Sequence, residues 1–186
     1  MHIITAGNKK FRKLIDQSVA HLEELGYDYT VYDLGGLGIG KEFIIEDDFT
    51  IYPFPPCYFK PAVIAHKLTE LEEGEYLVFL DADAHIHKNI DEIVELDYDI
   101  GLTERTTAGA KPEEGRVNAG VMFLRNCENT RNFVQEWRRK THELKGDQHA
   151  LNTLLVDWDR ITFFPCSVYN DPKGEKIVHY KNSKKL

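Results

Sequence analysis

The stretch Tyr76-Leu77-Val78-Phe79-Leu80-Asp81-Ala82-Asp83 decides the fold. Its first five residues are apolar without interruption. That is the pattern of a strand covered on both faces, as in a parallel sheet lying between helices. The run stops at two carboxylates one residue apart. Ligands of open α/β sheets bind in the crevice outside the carboxyl ends of the strands, and Asp81 and Asp83 emerge there. Paired hard oxygens suit a divalent cation such as Mg²⁺ or Mn²⁺, which can share its coordination sphere with a diphosphate.

The spacing alone is a weak signal, because Asp97-Tyr98-Asp99 and Asp157-Trp158-Asp159 repeat it. Those two pairs precede their apolar runs, which puts them at the opposite edge of the sheet or in solvent. Only Asp81 and Asp83 close a buried strand.

Upstream of this corner, residues 2–6 read as a short strand broken by Gly7-Asn8, with Asn8 placed to cap the next helix. Phe11, Leu14, Ile15, Val19, Leu22 and Leu25 recur at helical steps, and Gly26 stops the helix. Residues 29–32 form the next strand, so the chain opens β-α-β. The glycines of 35–40 lack the spacing of a phosphate-binding fingerprint and read as a flexible loop. Residues 43–57 read as irregular, since Pro53, Pro55 and Pro56 forbid a regular element. Pro61 suits the first turn of a helix over 62–71. Lys60, immediately before it, either holds an anion at the helix start or stands in solvent.

Downstream, His85 and His87 read as a polar strand face rather than as ligands. Residues 100–103 form a strand, and polar residues 106–116 are a candidate lid. The apolar strand 117–124 is entered through Asn118 and Gly120, the glycine permitting close approach of a ligand. Phe133, Val134 and Trp137 mark a helix whose Arg138, Arg139 and Lys140 form a solvated face. Residues 146–152 begin another helix, with Asp147 either its N-cap or a chemical group at its start. Strands over 161–164 and 177–180 follow, separated by the turn-rich residues 169–174.

A length of 186 residues fits one domain, spanning 1–186 with a basic tail from about 172. The formal charge of −8 argues against nucleic-acid binding. Three scattered cysteines, Cys57, Cys127 and Cys166, point to free thiols in a cytoplasmic setting, and no membrane-spanning run or leader is read.

Taken in order, four motifs resemble those of GT-A fold nucleotide-sugar glycosyltransferases, most closely the retaining family 8 group. These are Asp81-Ala82-Asp83, Asn118-Ala119-Gly120-Val121-Met122, Gly146-Asp147-Gln148-His149-Ala150-Leu151-Asn152, and His179-Tyr180-Lys181-Asn182-Ser183-Lys184-Lys185. Asn182 and the residues after Lys185 depart from the family's terminal motif. The resemblance implies a Rossmann-type mixed sheet, mostly parallel, with helices on both faces. It implies transfer of a sugar from a nucleotide-diphosphate donor, UDP-linked by default, with retention. The acceptor would be a carbohydrate, a lipid-linked group or a protein.

By the same resemblance, Asp81, Asp83 and His179 bind Mn²⁺ or Mg²⁺. Lys185 grips the diphosphate, Asn118 orients the sugar, and Asp147 and Gln148 lie beside the anomeric carbon. Thr5, Ala6 and Gly7 occupy the place of the nucleobase loop, and Lys60, Ala82 and Gly120 complete the donor-binding set. Two other readings compete with a transferase: a degenerate domain that only binds nucleotide sugar or carbohydrate, and an aspartyl phosphatase, for which Ala84 fits poorly.

Overall fold

The computed structural model describes residues 1–43, 58–105 and 115–180. All but Phe43 of the irregular segment expected at 43–57, most of the candidate lid and Lys185 therefore lie outside the described residues.

The main sheet is built from β1 (His2–Gly7), β2 (Asp28–Asp33), β3 (Lys41–Glu42), β4 (Tyr76–Leu80), β6 (Ile100–Glu104), β7 (Val117–Arg125) and β8 (Ile161–Pro165). Their order across the sheet is β3-β2-β1-β4-β7-β6-β8. Every neighbour pair is parallel except the two that involve β7. A separate antiparallel ribbon pairs β5 (Ala84–Ile86) with β9 (Ile177–His179).

The direction of β7 places the site. Because it runs against β4, its N-terminal residues lie at the edge where β4 ends. Leu80 pairs with Val121, and the Asp81 amide donates to the Gly120 carbonyl at 2.8 Å. Its apolar run would look the same in either direction, so the sequence pattern does not reveal this.

Alternation along β4 divides the core between the two faces of the sheet. Leu77 and Phe79 pack with Val63, Ile64 and Leu68 of α2 (Phe59–Leu68), Phe133, Val134 and Trp137 of α3 (Glu128–Leu144), and Leu151 of α4 (Asp147–Leu154). Val78 and Leu80 pack on the other face with Leu22 of α1 (Arg12–Leu25), Tyr169 of α5 (Cys166–Tyr169), Ile93 and Ile177. Trp137 is fully buried and donates from Nε1 to the Asp147 carbonyl at 2.8 Å, which fixes α3 against the start of α4. Truncating so large a buried side chain costs about 3–5 kcal/mol.

Helix starts differ from the sequence reading at two places that matter. Helix α2 begins at Phe59, so Pro61 is its third residue and Lys60 belongs to the first turn, buried rather than preceding the helix. Asp147 does not cap α4. Gly146 takes the N-cap position with extended backbone, and the Asp147 carboxylate is released to pair elsewhere. The loop after β2 is organised rather than flexible. The Asp33 carboxylate accepts from the amides of Gly35, Leu37 and Gly38 at 2.7–2.9 Å, and these bonds hold its carboxyl below the ordinary range.

Candidate functional site

Asp81 and Asp83 leave β4 at the predicted edge, and β9 brings His179 to them from the far end of the chain. One ligand atom from each of the three lies within 4.8 Å of the others. His179 Nε2 is 3.1 Å from Asp83 Oδ1 and 3.9 Å from Asp81 Oδ2. The ladder pair Ala84–His179 and the bond from the Tyr180 amide to the Asp83 carbonyl at 2.8 Å set this approach.

The orientation of His179 follows from a buried polar chain. Asn170, fully buried, donates through Nδ2 to Thr103 Oγ1 at 2.5 Å and to Asn118 Oδ1 at 3.1 Å. Its carbonyl oxygen therefore faces His179 Nδ1 at 2.5 Å and accepts a hydrogen bond from it. With Nδ1 donating to Asn170, Nε2 faces Asp83, and a neutral ring would set two acceptors against each other. Such a pair needs a positive partner, either a proton on the ring or a metal ion between them. Two carboxylates and one imidazole, with the ring fixed through its other nitrogen, match a divalent-cation donor set.

The sequence reading takes Gly120 as room for a ligand to approach the backbone. Its place in the structure has a more immediate cause: a Cβ there would stand 2.4 Å from His179 Cε1. The close neighbour of this glycine is the imidazole. Asn118 Oδ1 also accepts from the Gly120 amide at 2.8 Å, so the asparagine shapes the same corner.

A second charge cluster adjoins the first. Lys60 Nζ lies 2.9 Å from Asp81 Oδ1 and 3.1 Å from Asp147 Oδ2, with all three side chains largely buried. Burial alone would lower the Lys60 pKa, but the two carboxylates outweigh it and hold the ammonium charged. Burial raises the Asp81 carboxyl against the opposing pull of Lys60 and His179. Burial also acts to raise Asp83, but the hydrogen bond and charge of His179 bring it below its ordinary value. The two carboxylates one residue apart thus sit in different electrostatic settings.

Gln148 follows Asp147 in the first turn of α4 and is half-buried. Thr5, Ala6 and Gly7 end β1 at the same edge but are buried. Gly7 is small because a Cβ would meet Ile15 Cδ1 of α1 at 2.7 Å. Ala82, buried between the carboxylates, packs with Ile15, Val31 and Leu37. The other acidic pairs are elsewhere: Asp97 and Asp99 pair with Arg160 before β6, while Asp157 and Asp159 are exposed before β8. Asn170 and Thr103 were not singled out from sequence; an asparagine before Asp171-Pro172 reads as an ordinary turn residue.

A sheet of this order, with helices on both faces and an acidic corner at the strand ends, is the GT-A architecture. The family model described as nucleotide-diphospho-sugar transferase matches residues 64–170, and the chain belongs to that family. It is a glycosyltransferase, which removes the phosphatase reading.

Solved structures similar to it include a glycosyltransferase involved in the glycosylation of the major capsid of PBCV-1, at 13% identity and TM-score 0.67, covering 98% of this chain and 94% of that one. The galactosyltransferase LgtC in complex with donor and acceptor sugar analogs is similar at 14% identity and TM-score 0.64, covering 98% and 88%. An active-site mutant of LgtC in which a glutamine is changed to glutamate is similar at 14% identity and TM-score 0.60, covering 97% and 87%. No curated protein matches the chain. Among the described residues, no helix is long and apolar enough to cross a membrane.

Proposed function

We propose that this glycosyltransferase transfers a sugar from a UDP-linked donor with retention, as in the family 8 group, and requires Mn²⁺ or Mg²⁺ for it. The observation that carries the reading is the meeting of Asp81, Asp83 and His179 at one corner, 3.1–3.9 Å from ring to carboxylates, with Lys60 and Asp147 beside them.

In this reading Asp81, Asp83 and His179 hold the cation. When bound, such an ion neutralises charge that develops on the departing diphosphate. Asn170 keeps His179 in the tautomer that presents Nε2, and Thr103 and Asn118 keep Asn170 in place. Lys60 holds Asp147 at the sugar side of the corner and compensates Asp81 while no cation is there. Asp147 and Gln148 act at the anomeric carbon, Asn118 orients the sugar, and Lys185 supplies a positive charge to the diphosphate. The ends of β1 and the Asp33-organised loop border the donor's base, with Thr5, Ala6 and Gly7 offering backbone rather than exposed side chains. The Cys127 thiol, outside any disulfide, supports a reducing, cytoplasmic setting.

Thermal unfolding with a panel of nucleotide sugars, each with and without Mn²⁺, tests the reading. A donor at a hundred times its Kd adds about 2.7 kcal/mol of stability. For a chain of this length that raises Tm by roughly 5–11 °C. The stabilised donor should be hydrolysed slowly in Mn²⁺, and Asp83→Asn should abolish both effects. A panel without any Mn²⁺-dependent shift would refute the assignment, and a shift without turnover toward any acceptor would favour the binding-module reading.

A further inference from the structure

Three histidines form a second cluster, away from the acidic corner. His21 comes from α1, His85 from the middle of β5, and His87 from just beyond it. One ring nitrogen from each lies within 4.8 Å of the others. The His21 and His87 ring centroids are 4.4 Å apart, and the His85 and His87 rings stack at 6.5 Å. With Gln17, Ala20 and Tyr180 they line a cleft of about 380 Å³.

One detail separates this cluster from a chance surface grouping. His85 is 1% exposed, and its Nε2, like Nδ1 of His21, is shut away from solvent without any hydrogen-bond partner. Buried nitrogens left unpaired are costly, and here two of them belong to rings that line one cleft.

We propose that His21, His85 and His87 form a second cation site, for a borderline transition ion of the zinc class. Three imidazoles without a carboxylate select Zn²⁺, Ni²⁺ or Cu²⁺ over the hard cations suited to Asp81 and Asp83. Zn–N bonds of about 2.0–2.1 Å put tetrahedral donors about 3.4 Å apart, so small side-chain rotations close the set. The three rings line the cleft beside the Tyr180 phenol, which is 3.3 Å from His87 Nε2. His85 and His179 point to opposite faces of the β5–β9 ribbon, because Ala84 pairs with His179 and His85 with Val178. An ion held here ties the ribbon to α1 from behind, while the front of the ribbon carries the imidazole of the acidic corner.

The test is calorimetric titration of chelator-stripped full-length protein with Zn²⁺ and, separately, Mn²⁺. Wild type should bind Zn²⁺ in a tight phase that persists in Asp83→Asn. The phase should weaken by at least about 100-fold in His21→Ala/His87→Ala, since second-shell changes alone cost 10–100-fold. Mn²⁺ binding should show the reverse pattern. His87→Gln, at an exposed position, supplies a milder variant, and circular dichroism checks that each variant is folded. Co²⁺ should give the intense visible bands of a four-coordinate ion in wild type and lose them in the histidine variants. Absence of tight Zn²⁺ binding, its survival in the folded histidine variants, or its loss with Asp83→Asn would overturn the proposal.

Discussion

Replacing Gly120 with alanine tests the geometry of the acidic corner most directly. The added Cβ would lie 2.4 Å from His179 Cε1, and 2.9 Å from both His179 Nδ1 and Asn118 Oδ1. Ordinary contact begins near 3.4 Å, so the ring must retreat by about 1 Å. It has little freedom to do so. Nδ1 is held by Asn170 at 2.5 Å, Nε2 faces Asp83 at 3.1 Å, and the backbone is fixed by the β5–β9 ladder.

Overpacking of this kind costs about 1–3 kcal/mol. Glycine in a strand is otherwise worse than alanine by roughly 0.5–1 kcal/mol, so without the clash the variant would be more stable. A displacement of about 1 Å at a ligand should weaken Mn²⁺ binding by 10–100-fold and lower turnover by about 100-fold. Calorimetric Mn²⁺ titration and thermal unfolding read the two effects. Gly101→Ala is the control: its Cβ would meet Phe164 at 2.7 Å, so it should lower Tm but leave Mn²⁺ affinity unchanged. A Gly120→Ala protein with wild-type Mn²⁺ affinity and an unchanged or higher Tm would refute the reasoning.

Lys60→Met should destabilise the cation-free protein by about 3–5 kcal/mol, because Asp81 and Asp147 would be left as uncompensated buried carboxylates. Mn²⁺ should recover part of that loss, which denaturant unfolding with and without the ion would show. Asn170→Ala strands buried polar groups and should cost about 1–3 kcal/mol together with a 10–100-fold loss of Mn²⁺ affinity. Asn170→Asp, which can still accept from His179 Nδ1, should restore most of the affinity, and equal losses in both variants would contradict the tautomer argument. Asp99 responds to pH. Burial raises its carboxyl, but bonds from Asn129 and Arg160 outweigh it and hold the folded pKa below the ordinary value. Its stabilisation is therefore complete above about pH 4 and is lost as pH falls through the depressed folded value. Asp99→Asn should cost on the order of 1 kcal/mol at pH 7, given the exposed Arg160, and should flatten acid unfolding below pH 4. An unchanged acid limb would exclude this role.

The acidic corner was legible because local chemistry declares it: an apolar run ending in carboxylates reads the same in sequence and in structure. Strands and helices with strong periodicity fell within a few residues of their expected places. Side chains whose meaning is set by distant partners did not. Lys60 reads alike whether it stands in solvent or neutralises Asp81 and Asp147, and Asp147 is as good a cap as an ion-pair partner. Asn170 gave no signal at all, since its partners Thr103, Asn118 and His179 belong to three separate segments. His85 and His87 read as a polar face because the third histidine, His21, lies on a helix whose packing against β5 no short-range pattern encodes.

The pairing of Asp83 with a histidine 96 residues later has a consequence for biosynthesis. Contacts so remote in sequence form late, after the local β-α units have closed. A growing chain can bury much of its hydrophobic interior while β9 is still inside the ribosome, and at that stage the corner lacks its imidazole. On the proposed function, a growing chain would gain its cation corner only when β9 pairs with β5.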